Sequence, residues 1–252
     1  MQAIPKWRQR HIDQEEVNQL AKKKSSKSMG QDKKRKLITF YEPKSPISEQ
    51  FRTLRTNIQF SAVDEELQTI LITSSGPTEG KSTTAANIAV VFAQQGKRTL
   101  FIDSDLRKPS SHYTFSFMNT VGLTSVLTRQ TSLEKAVQVI NPLGLHVLTS
   151  GPLPPNPAEL LSSRAMKELI NQAKQEYDVI IIDSPPVTAV TDAQIIAGLC
   201  DGAILVVSSG RTHIDDAVKT KELLTNTGTK IIGAVLNNKK MKDNTYYYYG
   251  KK

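Results

Sequence analysis

The stretch GPTEGKSTT, from Gly76 to Thr84, constrains the fold of this chain more than any other feature. It follows an apolar run rich in β-branched residues (68–75) and leads into a segment with the apolar spacing of a helix, which closes near Gly96. A strand, a loop and a helix in this order gather backbone N–H groups at the positive end of the helix. The stretch therefore predicts a site for a phosphate group.

The end of this loop matches the pattern G-x-x-x-x-G-K-[ST] of a phosphate-binding loop, or P-loop. Lys81 is expected to reach the β- and γ-phosphates of a nucleotide, and the hydroxyl of Ser82 is expected to bind Mg²⁺. Ser75 stands where the pattern has its first glycine, which costs little if its backbone is not left-handed. The predicted nucleotide-binding residues are Gly76, Pro77, Thr78, Glu79, Gly80, Lys81, Ser82 and Thr83.

The remaining chain alternates strand-like and helix-like segments, which predicts βαβ units. The expected fold is an α/β P-loop NTPase with a mostly parallel central sheet and helices on both faces. Residues 37–46 read as an extended segment, Ser48 reads as the N-cap of the next helix, and residues 154–177 read as one helix. We expect a basic flexible tail at 1–36, a P-loop domain at 37–238 and a Tyr-rich tail at 239–252.

The formal charge of +9 is unevenly distributed. Residues 1–36 carry +7 and residues 237–252 carry +4, which leaves −2 for the 200 residues between them. Basic tails are most often solvated ends, and next most often they meet an anionic membrane surface or an acidic partner. Nucleic acid is not an expected partner, because no aromatic residues are interleaved with the basic residues of the central region.

The single cysteine, Cys200, excludes a disulfide framework and favours a reduced, cytoplasmic location. No apolar run approaches the roughly 20 residues that cross a bilayer. We therefore expect a chain that is soluble on its own.

Three carboxylates follow apolar strands: Asp103 and Asp105 after one strand, and Asp183 after another. Ligands of open parallel sheets bind beyond the carboxyl ends of the strands, and Mg²⁺ takes oxygen ligands. Asp183 is the expected support of the ion, with Asp105 as a second support through water. Asp103 is then free to accept a proton from an attacking hydroxyl or water. With Lys81, these acids form the predicted catalytic set.

The segments GPTEGKST, LFIDSDLRKP and VIIIDSPP together resemble the bacterial tyrosine kinases of capsule and exopolysaccharide synthesis. The resemblance runs from about residue 36 to the end of the sequence. It implies an ATP- and Mg²⁺-dependent protein tyrosine kinase, and a base contact for Asn237. It also implies a transmembrane activator, here expected as a separate protein that recruits the kinase to the inner face of the membrane.

Two further elements resemble parts of that family. The helix carrying Glu49, Arg52 and Arg55 is similar to its Glu-x-x-Arg-x-x-Arg element, which implies a ring-shaped homo-oligomer. On a lone helix the same charges are a solvated stripe. The four tyrosines Tyr246, Tyr247, Tyr248 and Tyr249 resemble the family's autophosphorylated cluster.

Two other functions stay open. Partition and cell-division ATPase switches share the expected fold but carry an additional lysine five places before the loop lysine, where this chain has Gly76. A nucleotide-gated scaffold for the polysaccharide machinery needs no phosphoryl transfer. That hypothesis predicts that removing residues 246–249 leaves function intact.

Overall fold

The computed structural model describes residues 37–61 and 67–240. The predictions for the tail at 1–36 and for the tyrosines at 246–249 lie outside the described residues.

Seven strands and ten helices are assigned in the described part of the chain. The strands are β1 (Thr69–Ser74), β2 (Thr99–Asp103), β3 (Gln138–Ile140), β4 (Leu145–Leu148), β5 (Val179–Asp183), β6 (Gly202–Ser208) and β7 (Ile231–Asn237). The helices are α1 (Ile38–Tyr41), α2 (Pro46–Phe60), α3 (Lys81–Ala93), α4 (Ser111–Phe115), α5 (Leu123–Leu127), α6 (Leu133–Ala136), α7 (Pro157–Ser162), α8 (Arg164–Glu176), α9 (Asp192–Ala197) and α10 (Ile214–Thr225).

The strands form one sheet in the order β3-β4-β2-β5-β1-β6-β7. Every neighbouring pair is parallel except β3 and β4, which are antiparallel. The prediction of a mostly parallel sheet is therefore confirmed.

Helices cover both faces of this sheet, because its strands are apolar on both sides. Alternation along β1 shows the division: Leu71 packs with α5 to α10, whereas Ile70 and Ile72 pack with α1 to α4. Strands β1, β2 and β5 are buried along their whole length. The carboxyl ends of these three strands thus rest on a rigid, close-packed base.

The segment predicted to be extended, 37–46, instead contains the short helix α1. Tertiary contacts favour the helix, because Thr39 is buried and its backbone N–H and hydroxyl both donate to Asn87 Oδ1 on α3. The expected N-cap is also displaced: Ser45 caps α2 by accepting from Ser48 N, while the Ser48 hydroxyl donates to the carbonyl of Glu42. Ser48 therefore joins α2 to the end of α1.

One other predicted element differs in the structure. The single helix expected over 154–177 is two helices, α7 and α8, separated at Ser163. The backbone of Ser163 is extended, and its hydroxyl oxygen caps α8 by accepting from Met166 N. The segment after α6 forms the edge strand β3, which hydrogen-bonds to β4. No glycine or proline marks the break at Ser163 or the start of β3, so the local sequence pattern does not predict either feature.

Among residues 37–61 and 67–240, no helix has the length and apolar character that crossing a membrane requires.

Candidate active site

The site lies at the carboxyl edge of three adjacent parallel strands, β2, β5 and β1. Asp103 and Asp183 are the last residues of β2 and β5, and they lie opposite each other in the strand register. The P-loop follows Ser74 at the end of β1. The sheet topology therefore brings together the loop and the acids that are far apart in sequence, as predicted for an open parallel sheet.

The P-loop enters helix α3 through Gly80, whose left-handed backbone (φ 97°) caps the helix just before Lys81. Thr78 is also left-handed, with φ of 62°, whereas Ser75 is not. The expectation that serine is tolerated at the first glycine position is therefore confirmed. A Cβ atom at Gly80 would overlap the side-chain amide of Asn237, so this glycine also allows a close approach between β7 and the loop.

Glu79 within the P-loop and two threonines from other loops hold the P-loop in this shape. Glu79 is buried, and its carboxylate accepts from Ser75 N at 3.0 Å and from the Thr212 hydroxyl at 2.7 Å. The Thr188 hydroxyl donates to the Ser75 carbonyl at 2.6 Å. Thr188 and Thr212 were not predicted as site residues, because threonines in loops carry no distinctive sequence signal.

Lys81 is the charged centre of the site. Its Nζ lies 3.2 Å from Asp105 Oδ2, 3.7 Å from Asp183 Oδ1 and 3.1 Å from Ser82 Oγ. Burial lowers the pKa of Lys81, but the charges of Asp183 and Asp105 outweigh it and the net pKa is raised. The lysine is therefore positively charged where the phosphates of a nucleotide are expected.

Asp183 is the most distinctive of the three acids. It is fully buried, and neither of its carboxylate oxygens accepts a hydrogen bond. Burial raises its pKa to about 7, although the Lys81 charge and the Ser82 hydroxyl act in the opposite direction. Buried carboxylates without hydrogen bonds are costly, so these oxygens are suited to binding a cation.

Asp103 is also fully buried, but its oxygens are hydrogen-bonded. Oδ2 accepts from the backbone N–H of Ser111 at 3.0 Å and from its hydroxyl at 2.5 Å, which fixes the start of α4. Oδ1 accepts from Asp105 N at 3.2 Å. Burial raises the pKa of Asp103, the Ser111 hydrogen bonds oppose this, and the net shift is upward. The raised pKa of Asp103 is closer to the pKa that an effective proton acceptor has at neutral pH.

The loop after β2 is anchored to α9 by a fork-shaped ion pair. Arg107 Nε and Nη2 donate to the two oxygens of Asp192 at 2.8 and 2.9 Å, and Asp192 is fully buried. The backbone N–H groups of Arg107 and Lys108 donate to Asp105 Oδ1. The ion pair therefore fixes the turn that orients Asp105 toward Lys81, and Asp192 was not predicted for this role.

The residues present fit a magnesium ion that is partly held by phosphate. No group of three or more His, Cys, Asp or Glu side chains in 37–61 and 67–240 is arranged to hold a metal by itself. Mg²⁺ commonly takes one or two carboxylates together with nucleotide phosphates and water. The oxygens of Asp183, which accept no hydrogen bond, match that requirement together with Asp105 and Ser82 beside Lys81.

Asn237 lies at the end of β7 beside the P-loop, where its Nδ2 donates to the Glu79 carbonyl at 2.9 Å. The structure thus joins it to the nucleotide-binding loop. Its predicted contact with the base stays a prediction.

On α2, Glu49 and Arg52 pair with each other, and Arg52 also donates to the Pro43 carbonyl at 2.6 Å. Arg55 instead donates to the Val91 carbonyl of α3 at 3.0 Å. In the predicted interface motif, Glu49 is thus exposed at the helix surface and Arg52 is half-buried, while Arg55 contacts α3 of the same chain.

Comparisons with known proteins agree with this geometry. A family model described as "ParA: NUBPL iron-transfer P-loop NTPase" matches residues 66–246. Tyrosine-protein kinase YwqD of Bacillus subtilis (strain 168) is 56% identical over 227 residues, which cover 90% of this chain and 96% of that protein.

Among solved structures, the kinase domain of the Escherichia coli tyrosine kinase ETK superposes with a TM-score of 0.79 at 33% identity, covering 86% of this chain and 85% of that one. The septum site-determining protein MinD of Pyrococcus horikoshii OT3, complexed with Mg-ADP, gives a TM-score of 0.60 at 25% identity, covering 70% and 72%. The likeness to MinD extends over less of the chain than the likeness to the kinase domain. Within the wider group of ParA-like P-loop NTPases, this chain belongs to the bacterial tyrosine kinase family.

Proposed function

We propose that this kinase transfers the γ-phosphoryl group of ATP to the hydroxyl groups of Tyr246, Tyr247, Tyr248 and Tyr249, and to tyrosines of other proteins, and thereby regulates capsule or exopolysaccharide synthesis. The observation that carries the proposal is the convergence of Asp105 and Asp183 on Lys81, where the buried oxygens of Asp183 accept no hydrogen bond. A lysine and two acids at the end of a P-loop supply what phosphoryl transfer needs.

Each residue has a specific part in the proposed reaction. Lys81 and the N–H groups of the P-loop hold the β- and γ-phosphates in line with the acceptor. Ser82, Asp105 and Asp183 would hold Mg²⁺, which would neutralise charge on the phosphate oxygens. The tyrosine oxygen bonds to the γ-phosphorus as the bond from that phosphorus to the β–γ bridging oxygen breaks. Asp103 takes the phenolic proton, and ADP leaves.

Two features support Asp103 as the proton acceptor. Its pKa is raised by burial, and it lies beside Asp183 in the strand register, next to the expected γ-phosphate position. The Ser111 hydroxyl also contacts it at 2.5 Å, which orients the carboxylate. Asn237 is proposed to contact the adenine base from the end of β7.

The kinase is further proposed to act as a ring-shaped homo-oligomer in the cytoplasm, recruited to the inner face of the membrane by a transmembrane activator. Glu49 is exposed on α2 and Arg52 beside it is half-buried, so both side chains can be reached by a neighbouring subunit. Arg55 supports the same surface by bonding to α3.

A partition or cell-division ATPase switch is less well supported. That class needs a lysine at the position of Gly76. A Cβ atom at Gly76 would lie 3.6 Å from Glu79 Oε1, which is an ordinary van der Waals distance. The fold therefore has room for a side chain at this position, and the sequence simply does not carry the lysine.

The test is incubation of the purified chain with Mg²⁺-ATP, followed by mass spectrometry of the C-terminal peptide. Lys81→Met and Asp103→Ala are each expected to reduce phosphate on residues 246–249 by at least about 100-fold, since charge stabilisation and general base catalysis each contribute on that order. Asp178→Ala, at a surface ion pair far from the P-loop, is the control and should retain activity. Undiminished phosphorylation in either site variant would contradict the proposed roles.

A further inference from the structure

An apolar groove of about 640 Å³ lies between helix α10 and the outer strands β6 and β7. Leu205 and Val207 of β6 and Ala234 and Leu236 of β7 form its floor, and Ile214 and Val218 of α10 form its wall. Ile214, Leu236 and Val218 are 81%, 52% and 49% exposed. Large apolar side chains exposed together in one groove indicate a binding surface.

The groove is open because α10 packs on the sheet mainly through its second half. Its buried residues are Thr220 and Leu224, whereas Ile214 and Val218 in the first half are exposed. Strand β7 is the outermost strand on this side of the described sheet. The register aligns Leu205 with Ala234 and Val207 with Leu236, so one face of β6 and β7 presents a continuous apolar floor.

The segment 241–252, MKDNTYYYYGKK, continues from the edge of this groove. The described chain runs to Lys240, four residues beyond Leu236, and Asn238 has a left-handed backbone (φ 58°) that turns the chain as β7 ends. Tyr246 to Tyr249 follow Lys240 by six to nine residues, a span of up to about 20–30 Å when extended. Helix α10 has 12 residues and is about 18 Å long. The tyrosines can therefore reach the whole groove.

The chemistry of the segment and the groove is complementary. Tyrosine rings bury apolar area while the hydroxyl stays in water, and Lys221 lines the groove where its ammonium can meet a ring face. Asp215 and Asp216 are exposed in the first turn of α10, next in sequence to the lining residue Ile214, and they are opposite in charge to Lys242, Lys251 and Lys252 of the segment. We propose that the unphosphorylated tyrosine segment 241–252 docks in cis in the groove between α10 and β7.

Docking in cis has a regulatory consequence, which rests on the proposed function of these tyrosines as acceptors. A docked tyrosine is withheld from every active site, its own and a neighbour's. Each phosphate adds about −1.5 to −2 charge, and burying that charge in a mostly apolar groove costs its hydration. Phosphorylation therefore releases the segment and exposes the apolar groove.

The test is disulfide trapping in the full chain without nucleotide. In a Cys200→Ser, Lys81→Met background, Val218→Cys and Tyr247→Cys are combined and oxidised under mild conditions. The matched control pairs Tyr247→Cys with Met118→Cys, since Met118 is 74% exposed but lies outside the groove. Docking raises the local concentration of the two thiols, so the groove pair should form an intrachain disulfide about tenfold faster than the control pair.

Two further variants sharpen the result. Ile214→Ser removes apolar area at the exposed first residue of α10 and should slow trapping several-fold without unfolding the chain, which circular dichroism checks. Tyr246→Glu with Tyr248→Glu and Tyr249→Glu mimics the added charge and should also slow it. Equal rates for groove and control pairs, or disulfides only between chains, would overturn docking in cis. The trapping experiment contains no ATP, so its result does not depend on kinase activity. If trapping succeeds but the kinase assay shows no phosphate on the tyrosines, docking is supported and only the role of the tyrosines as acceptors is contradicted.

Discussion

At the scale of single residues, the site depends on close contacts that the P-loop motif alone does not specify. Gly80 is left-handed and touches the Asn237 side chain, so its lack of a Cβ serves both the turn and the contact with β7. Asp183 and Asp103 are both buried acids at strand ends, yet one has no hydrogen-bond donor and the other has several. Similar sequence positions therefore give one acid suited to a cation and one suited to a proton.

Gly80→Ala is expected to destabilise the chain and weaken nucleotide binding. A left-handed backbone costs a residue with a Cβ about 1–2 kcal/mol, and displacing Asn237 from the Glu79 carbonyl adds about 1 kcal/mol. Gly96→Ala is the matched control, because Gly96 is also left-handed (φ 84°) but a Cβ there meets nothing within 4 Å. Urea unfolding and nucleotide titration measure the two effects. If Gly80→Ala and Gly96→Ala lower the free energy of unfolding and nucleotide affinity equally, the contact with Asn237 does not contribute to stability or binding.

At the scale of secondary-structure elements, the carboxyl ends of β1, β2 and β5 are held in position by loops from elsewhere in the sheet. Thr188 follows β5 and Thr212 follows β6, and each donates a hydrogen bond that fixes the P-loop or its Glu79. The Arg107–Asp192 pair joins the loop after β2 to the start of α9. The acids and the loop thus form one connected network rather than independent ligands.

Arg107→Ala tests this network. Asp192 is fully buried, so removing its partner leaves a desolvated carboxylate, and we expect a loss of about 1–3 kcal/mol in the free energy of unfolding. Kinase activity should fall as well, because the turn holding Asp105 is loosened. Arg98→Ala is the control: its Nε and Nη2 both donate to Oδ1 of Asp178, but this pair lies at the surface, and little change is expected. Thermal or urea unfolding compares the two variants.

A similar loss in both variants would mean that the burial of Asp192 does not matter. Loss of stability with unchanged kcat would mean that the ion pair holds the fold but does not position Asp105.

At the scale of the whole molecule, the proposed acceptor tyrosines and the proposed interface on α2 bear on whether transfer occurs within a chain or between chains. Lys81→Met removes the donor function but keeps the tyrosines. A chain with Tyr246, Tyr247, Tyr248 and Tyr249 all changed to Phe keeps the site but removes the acceptors. If neighbours in a ring phosphorylate each other, mixing the two chains should place phosphate on the Lys81→Met chain.

Glu49→Arg, introduced into both chains, is expected to lower the particle mass measured by light scattering and to reduce this transfer about tenfold, since like charges would then meet across the interface. Glu134→Arg, an exposed charge reversal on α6, is the control and should change neither quantity. Wild-type mass and transfer in the Glu49→Arg chains would remove α2 from the interface.

Much of this molecule follows from local sequence. The P-loop, the three acids at strand ends and the alternation of strands and helices predict the parallel sheet and the edge that carries the site. Signals of this kind are local: a strand is marked by its apolar run, and a P-loop by glycine, lysine and serine at fixed spacing. The resemblance to the kinase family follows from the same short motifs.

Other features were decided by tertiary contacts. Residues 37–46 contain a helix because Thr39 meets Asn87 of α3, and β3 is a strand because it pairs with β4. Asp192, Thr188 and Thr212 belong to the site only because distant loops converge on one edge of the sheet. The sequence by itself determined which chemical groups are present and on which elements they lie. Only the folded packing decided their partners, because hydrogen bonds and burial depend on residues that are distant along the chain.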